Sequence, residues 1–157
     1  VGERDAVKGF SRESQIRRDA DGRWFDGSIA VENVAIARAF DRWIDRAEDG
    51  RYILKNAINW VYIEIDGAPI FVKSIDVQEA GIDLELSDER NEPLDGATLR
   101  LDRDGILWCD VRGGKMPAKF SRRAQQEIAP ALEEDEGGIY LRIGQERVRP
   151  AIVEKQG

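Results

Sequence analysis

The sequence contains no histidine, one cysteine (Cys109), one methionine and one threonine (Thr98). Without histidine, neither a Ser-His-Asp nor a Cys-His set can be built. Zinc sites based on histidine are excluded as well, and a single thiolate cannot make a structural zinc cluster. Acid–base chemistry near neutral pH would fall to a carboxylate, lysine or tyrosine with a displaced pKa. One cysteine permits no internal disulfide, so nothing points to an oxidising compartment. No apolar run reaches the roughly 18 residues that a spanning helix needs. The start, Val1-Gly2-Glu3-Arg4-Asp5, is charged and unlike a secretory leader. The expectation is a cytoplasmic protein with no membrane contact. Basic runs stop at two residues, at Arg17-Arg18 and Arg122-Arg123, and the formal net charge is −7. That balance disfavours nucleic acid as a partner.

What is present describes a packed globule: 157 residues, 41% hydrophobic, with four tryptophans. One short pattern occurs twice. The first copy runs through Asp21-Gly22-Arg23-Trp24-Phe25, an apolar-periodic stretch from Val31 to Ala47, and Asp49-Gly50-Arg51-Tyr52-Ile53-Leu54. The second runs through Asp104-Gly105-Ile106-Leu107-Trp108, a stretch from Ser121 to Leu132, and Gly137-Gly138-Ile139-Tyr140-Leu141. Asp-Gly pairs mark turns, because glycine supplies positive φ and aspartate tolerates turn geometry. Helical spacing of Ile36, Phe40, Trp43, Ile44 and Ala47 predicts a helix over 31–47, with Arg38, Asp41, Arg42, Asp45 and Arg46 on the wet face. In the second copy Ser121 is placed as an N-cap, and the helix is expected to reach about Glu133, bent or shortened at Pro130.

Between the copies, alternation predicts strands. Trp60 to Ile65 sets Val61, Ile63 and Ile65 against Trp60, Tyr62 and Glu64, and Ile70 to Val77 is its expected partner after the Asp66-Gly67 turn. Ile82 to Leu86 is the cleanest alternation, followed by a polar loop over 87–96 and a strand near Thr98–Leu101. The expected class is α+β, a duplicated ββαββ-like motif with largely antiparallel sheets, each covered by one helix. Expected boundaries are 1–20 for a polar N-terminal segment, either helical with Phe10 on the core or partly mobile. The first repeat covers 21–78, a connecting β segment 79–103, and the second repeat 104–157.

The pattern resembles a bacterial family known only as domain of unknown function number 1285. The resemblance rests on Asp21-Gly22-Arg23-Trp24-Phe25, Gly27-Ser28-Ile29, the helix ending in Phe40 and Ile44, and Asp49 to Leu54. It continues through Trp60 to Glu64, Asp66-Gly67-Ala68-Pro69-Ile70-Phe71, and Ala118-Lys119-Phe120-Ser121-Arg122. Asn56-Ala57-Ile58-Asn59 stands where the family tends toward Thr-Pro, and Gly67 is an extra residue within the turn. The resemblance implies a two-repeat α+β fold and no assigned activity, so function has to be argued from a site.

Candidate sites follow from residue type. Trp24, Trp60 and Tyr62, with Trp108 and Tyr140 as counterparts, could line a ligand cleft between the repeats, with Arg23, Arg51 and Arg122 holding an anionic group. The simpler reading is that these aromatics pack sheet against helix. Glu64 with Asp66, and Asp83 with Glu85, are carboxylate pairs that could bind a divalent cation or do acid–base work. Their simpler reading is a solvated sheet face. Cys109, beside Asp110 and with no histidine available, reads as a buried structural thiol. Ile106 to Val111 and Lys115 to Phe120 read as a hairpin across Arg112-Gly113-Gly114, so Gly113-Gly114-Lys115 is a hairpin turn, and the acidic runs 88–90 and 133–136 read as solvated loops. The functional expectation is a non-enzymatic binding or regulatory module for a small anionic ligand or a protein partner, with no cofactor. A carboxylate-dependent or metal-assisted enzyme, and a protein-interaction domain using a sheet edge, are the alternatives.

Overall fold

The computed structural model describes residues 11–153 of the chain. Two compact units divide it, one ending at Gly67 and one beginning at Ala68. In the first, β1 (Ile16–Arg18) pairs antiparallel with β2 (Trp24–Asp26), and β2 with β3 (Ile29–Ala30). Asp19 makes the β1–β2 turn, its carboxylate accepting from the backbone N–H groups of Asp21 (3.0 Å) and Arg23 (2.9 Å). Gly22 takes the φ of 87° that closes this turn, a conformation a side chain would resist. The end of the N-terminal segment, where a helix was allowed, is thus a strand. Phe10 lies outside the described residues.

Helix α1 (Val34–Trp43) starts at Asn33, whose side chain accepts from the Ile36 N–H at 3.1 Å. It is shorter than the expected 31–47. At Ile44 the backbone turns to φ −57° and ψ 129° and continues as β4 (Ile44–Arg46). Ile44 there is 1% exposed and pairs with Leu54 of β5 (Tyr52–Lys55), and cross-strand burial of a β-branched side chain outweighs one more turn of helix. Asp41 is a second correction. Expected on the wet face, it instead accepts from Trp24 Nε1 at 2.9 Å and Arg18 Nη1 at 3.1 Å. Arg18 is only 1% exposed, and a buried guanidinium requires a facing carboxylate.

The run expected as one strand over 60–65 serves two sheets. β6 (Trp60–Tyr62) pairs antiparallel with β5, whereas β7 (Glu64–Ile65) pairs parallel with β1, and buried Ile63 stands between them. The first unit therefore holds a sheet in the order β3-β2-β1-β7 and a separate three-stranded sheet, β4-β5-β6.

In the second unit, β8 (Ile70–Val77) is not the partner of the Trp60 strand. It pairs antiparallel with β9 (Ile82–Leu86) and parallel with β13 (Met116–Phe120). The expected loop over 87–96 contains a strand, β10 (Asn91–Pro93), on β9; Pro93 is tolerated because β10 lies at the sheet edge. Asp88 in the preceding turn is 3% exposed. Its carboxylate is held by Arg112 Nη2 at 2.6 Å, so this part of the acidic run is a buried ion pair and not solvated. A 3-10 turn (Gly96–Thr98) leads to β11 (Arg100–Leu101), then β12 (Leu107–Val111) hairpins to β13 through Arg112, Gly113 and Gly114, all at positive φ.

Helix α2 (Arg122–Ile128) is capped by Ser121 Oγ, which accepts from the Ala124 N–H at 3.1 Å. Pro130 falls in a 3-10 turn (Ala129–Ala131), and residues 132–135, expected as helix end and loop, form β14 (Leu132–Asp135). β14 pairs with β15 (Gly138–Ile143) and β15 with β16 (Glu146–Val148); β17 (Ala151–Ile152) joins β11 in parallel. The sheets run β10-β9-β8-β13-β12-β11-β17 and β14-β15-β16. Ile70, Val72, Leu84, Leu86, Leu107, Cys109, Met116 and Phe120 supply one buried face, on which α2 rests Ala124 and Ile128. The class is α+β, with antiparallel and mixed sheets and two α-helices among the described residues. No helix among them is long and apolar enough to cross a membrane.

Candidate functional site

The three-stranded sheet β4-β5-β6 has a face built from alternate residues. Register places Asp45, Ile53 and Tyr62 in one cross-strand row and Lys55 beside Trp60 in the next, since side chains on one face recur every second residue. Over this face lies a cavity of about 340 Å³, with Ile53 and Ala47 as its apolar part, Trp60 and Tyr62 as its aromatic part, and Lys55, Arg46, Asp45, Glu48 and Asp49 as charged members; the Arg46 guanidinium donates to the Tyr52 hydroxyl at 3.1 Å and lies 4.9 Å from that ring's centre. That volume is in the range of small-molecule sites.

The aromatic part is fixed from outside. Trp60 and Tyr62 meet edge to face at 5.1 Å and 89°. Asp49 accepts from the Tyr62 hydroxyl at 2.8 Å and from the Arg51 N–H at 3.0 Å. The Arg51 N–H and then the Tyr62 hydroxyl hold the Asp49 carboxyl below its ordinary pKa, and the same bond to Asp49 raises that of Tyr62. Arg51 donates through both terminal nitrogens to Glu13, at 2.9 and 2.8 Å, while its guanidinium stacks 3.6 Å from the Tyr62 ring centre. Arg12 lies 4.6 Å from the Trp60 ring centre and donates to the Trp60 carbonyl at 2.8 Å and to Asn59. Arg51 is thus a brace for Tyr62, its fork taken by Glu13.

Of the residues expected at a ligand site, Trp60 and Tyr62 line this cavity and Arg51 supports it. Trp24 does not: it is 3% exposed, edge to face with Phe40 at 5.3 Å, and its indole N–H is given to Asp41. Trp108, in the second unit, is 6% exposed and donates to Asp102 at 2.9 Å. Arg122 is exposed at the start of α2. Cys109 is fully buried, and burial, then Asp110, pushes its thiol up to about 12.

The carboxylates considered for metal stand apart in kind. Glu64 and Asp66 are exposed at the end of the first unit. Asp83 and Glu85 project from the outer face of β9, where Glu85 accepts from Ser74 at 3.1 Å and lies 3.8 Å from Lys73. Among the described residues no three carboxylate or thiol groups gather to hold a metal ion.

A second charged assembly, which sequence reading placed in a solvated loop, lies on β14-β15-β16. Glu133 pairs with Arg142 at 2.9 Å, and Asp135 with Arg149 at 2.6 Å and Arg147 at 3.0 Å. Arg147 and Arg149 stand 4.8 and 5.5 Å from the Tyr140 ring centre, and Tyr140 is 4% exposed. Hydrogen bonds from Arg149, against the opposing effect of burial, bring the Asp135 carboxyl to about 2. Lys55, Asp45 and the Arg12-Glu13 brace escaped sequence reading. The alternation of Lys55 with Ile53 was the one available signal, and it acquires meaning only once β4 and β6 are in register.

No family model matches the chain, and no curated protein matches it. Two solved structures share its fold. A DUF1285 family protein from Silicibacter pomeroyi DSS-3 aligns over 86% of this chain and 78% of its own, with a TM-score of 0.69 and 19% identity. A DUF1285 family protein from Shewanella baltica OS155 aligns over 71% of this chain and 87% of its own, with a TM-score of 0.56 and 16% identity. The fold is thus that of the family whose motifs the sequence resembles.

Proposed function

We propose that this chain, which shares the fold of DUF1285 proteins, is a small-molecule-binding module whose output is binding itself, and that its site is the cavity over β4-β5-β6. The observation that carries the reading is a small-molecule-sized hollow in which an aromatic pair, an apolar base and charged groups of both signs converge, with Arg46 engaged by Tyr52 and Lys55 outside any ion pair among the described residues. Trp60 and Tyr62 are held in place before any ligand arrives, which reduces the ordering cost of binding. Lys55 has no ion-pair partner among the described residues and supplies the cation for an anionic group. A bracing set of Arg51, Glu13 and Asp49 serves binding geometry by fixing the Tyr62 ring over the cavity.

We also read the chain as an internal duplication, with copies over 16–65 and 100–152 and β8 to β10 between them. Support comes from one pairing scheme met twice: β1 with β2 and β7, and β11 with β12 and β17, the last pair parallel each time. Each first pair is joined by an Asp-x-Asp-Gly turn whose leading carboxylate accepts from the third and fifth residues. Family membership is part of the same proposal, supported by the motifs and the shared fold.

A thermal-shift screen of small organic anions tests the site. A ligand at a hundredfold excess over its dissociation constant adds about 2.7 kcal/mol to native stability. The expected result is a response abolished by Lys55→Gln and weakened by Trp60→Ala, with Arg51→Ala weakening it through Tyr62. A response indifferent to all three variants would place binding elsewhere.

A further inference from the structure

The two three-stranded sheets can be laid on one another by register. Leu54 pairs with Ile44 and Val61 as Leu141 pairs with Leu132 and Val148. On that alignment Asp45 corresponds to Glu133, Lys55 to Arg142, and Trp60 to Arg147. Each acid and base pair is a diagonal neighbour across two strands, with backbones roughly 7–8 Å apart. In the second unit the diagonal is closed by protein alone, Glu133 meeting Arg142 at 2.9 Å. In the first, aspartate is one methylene shorter and lysine lacks the guanidinium fork. Asp45 accepts from the Arg46 N–H at 2.8 Å, neither Asp45 nor Lys55 has an ion-pair partner among the described residues, and both line the cavity.

We infer that this open diagonal is completed by the ligand, which is a small zwitterion of the amino-acid class. Its carboxylate meets Lys55, its ammonium meets Asp45 with Glu48 at the rim, and its apolar body lies on Ile53 against Trp60. The inference rests on the binding role proposed for the cavity and names the chemistry of its occupant. Two opposite poles on a partly apolar face favour such a molecule over a simple anion, because an anion alone leaves Asp45 facing its own charge sign. They also favour it over an amine, which leaves Lys55 in the same position. An ion pair held against an apolar surface is screened less than one in open solvent.

The test is calorimetric titration of the full chain with free aromatic and aliphatic α-amino acids, their N-acetyl derivatives and their amides. Free amino acids are expected to bind at least tenfold more tightly than either blocked form. Lys55→Gln is expected to erase the preference over the amide, and Asp45→Asn the preference over the N-acetyl form. Asp45→Glu with Lys55→Arg leaves net charge unchanged and should reproduce the Glu133–Arg142 closure, abolishing binding while the thermal midpoint holds. N-acetyl derivatives that bind as tightly as free amino acids, still dependent on Lys55, would overturn the zwitterion and leave the cavity's role standing. Absence of binding by these probes, while another anion binds and depends on Lys55, would do the same. No response to any anion, charged or zwitterionic, would remove both.

Discussion

At the scale of single residues, two charged residues among those described are buried, Arg18 and Asp88, and each faces an opposite charge. Asp88 is 3% exposed and bound to Arg112, whose side chain is 8% exposed. Removing one partner strands the other in a poorly solvated place, so Asp88→Ala is expected to cost about 3–5 kcal/mol in urea unfolding. Replacing both, as Asp88→Leu with Arg112→Met, is expected to recover most of that loss, because the desolvation penalty disappears along with the attraction. Asp135 makes the complementary case at the surface. Its folded pKa is about 2, below its ordinary value of 3.8. A depressed carboxyl stabilises the fold above the unfolded value and loses that contribution as pH falls through the folded one. Wild type and Asp135→Asn should therefore differ most in thermal midpoint at neutral pH and converge between about pH 4 and pH 2. High salt should narrow the gap at neutral pH, since these partners are partly exposed.

At the scale of elements, periodicity was informative where burial is one-sided and local. Ile82 to Leu86 alternates buried and exposed in the structure as in the sequence. The Ser121 cap and the Arg112-Gly113-Gly114 hairpin were equally legible, because both are settled within four residues. Elements decided by distant partners were not. The helix over 31–47 gives way to β4 because Leu54 offers Ile44 a cross-strand neighbour, and Asp41 turns inward because Arg18 and Trp24 wait there. β10 forms against the advice of Pro93 because an edge strand needs only one row of bonds. In the candidate site the aromatics Trp60 and Tyr62 could be picked by type, whereas Asp45 and Lys55 became partners only through register. Ser121 permits an element-scale test: it caps α2 and its hydroxyl also donates to the Lys73 carbonyl at 3.0 Å. Ser121→Ala is expected to cost about 1 kcal/mol or somewhat more in urea unfolding, and Ser121→Asp less, because it keeps the cap.

At the scale of the whole molecule, the buried apolar side chains are divided unevenly. Among the described residues, Trp24, Ile44, Ile53, Leu54 and Ile63 are those before Gly67, whereas the long series from Ala68 to Leu141 belongs to the second unit. The first unit also leaves Ile29, Val34 and Ile58 at 73%, 70% and 94% exposure. Local opening is easiest where few apolar contacts must be broken, and binding elements are drawn from that end of the range. Amide hydrogen exchange should then be slowest in β8, β9, β12 and β13, and faster in β4, β5 and β6. A ligand seated over Ile53 and against Trp60 binds only the closed form of that sheet, so by mass action it must slow exchange there. Protection should rise in β4 to β6 on adding a ligand that binds the cavity and leave β12 and β13 unchanged. Protection that rises first in the seven-stranded sheet would move the site out of the first unit. Equal protection of both units without ligand would mean that the chain opens as one cooperative body, with the thin core of the first unit no guide to its stability.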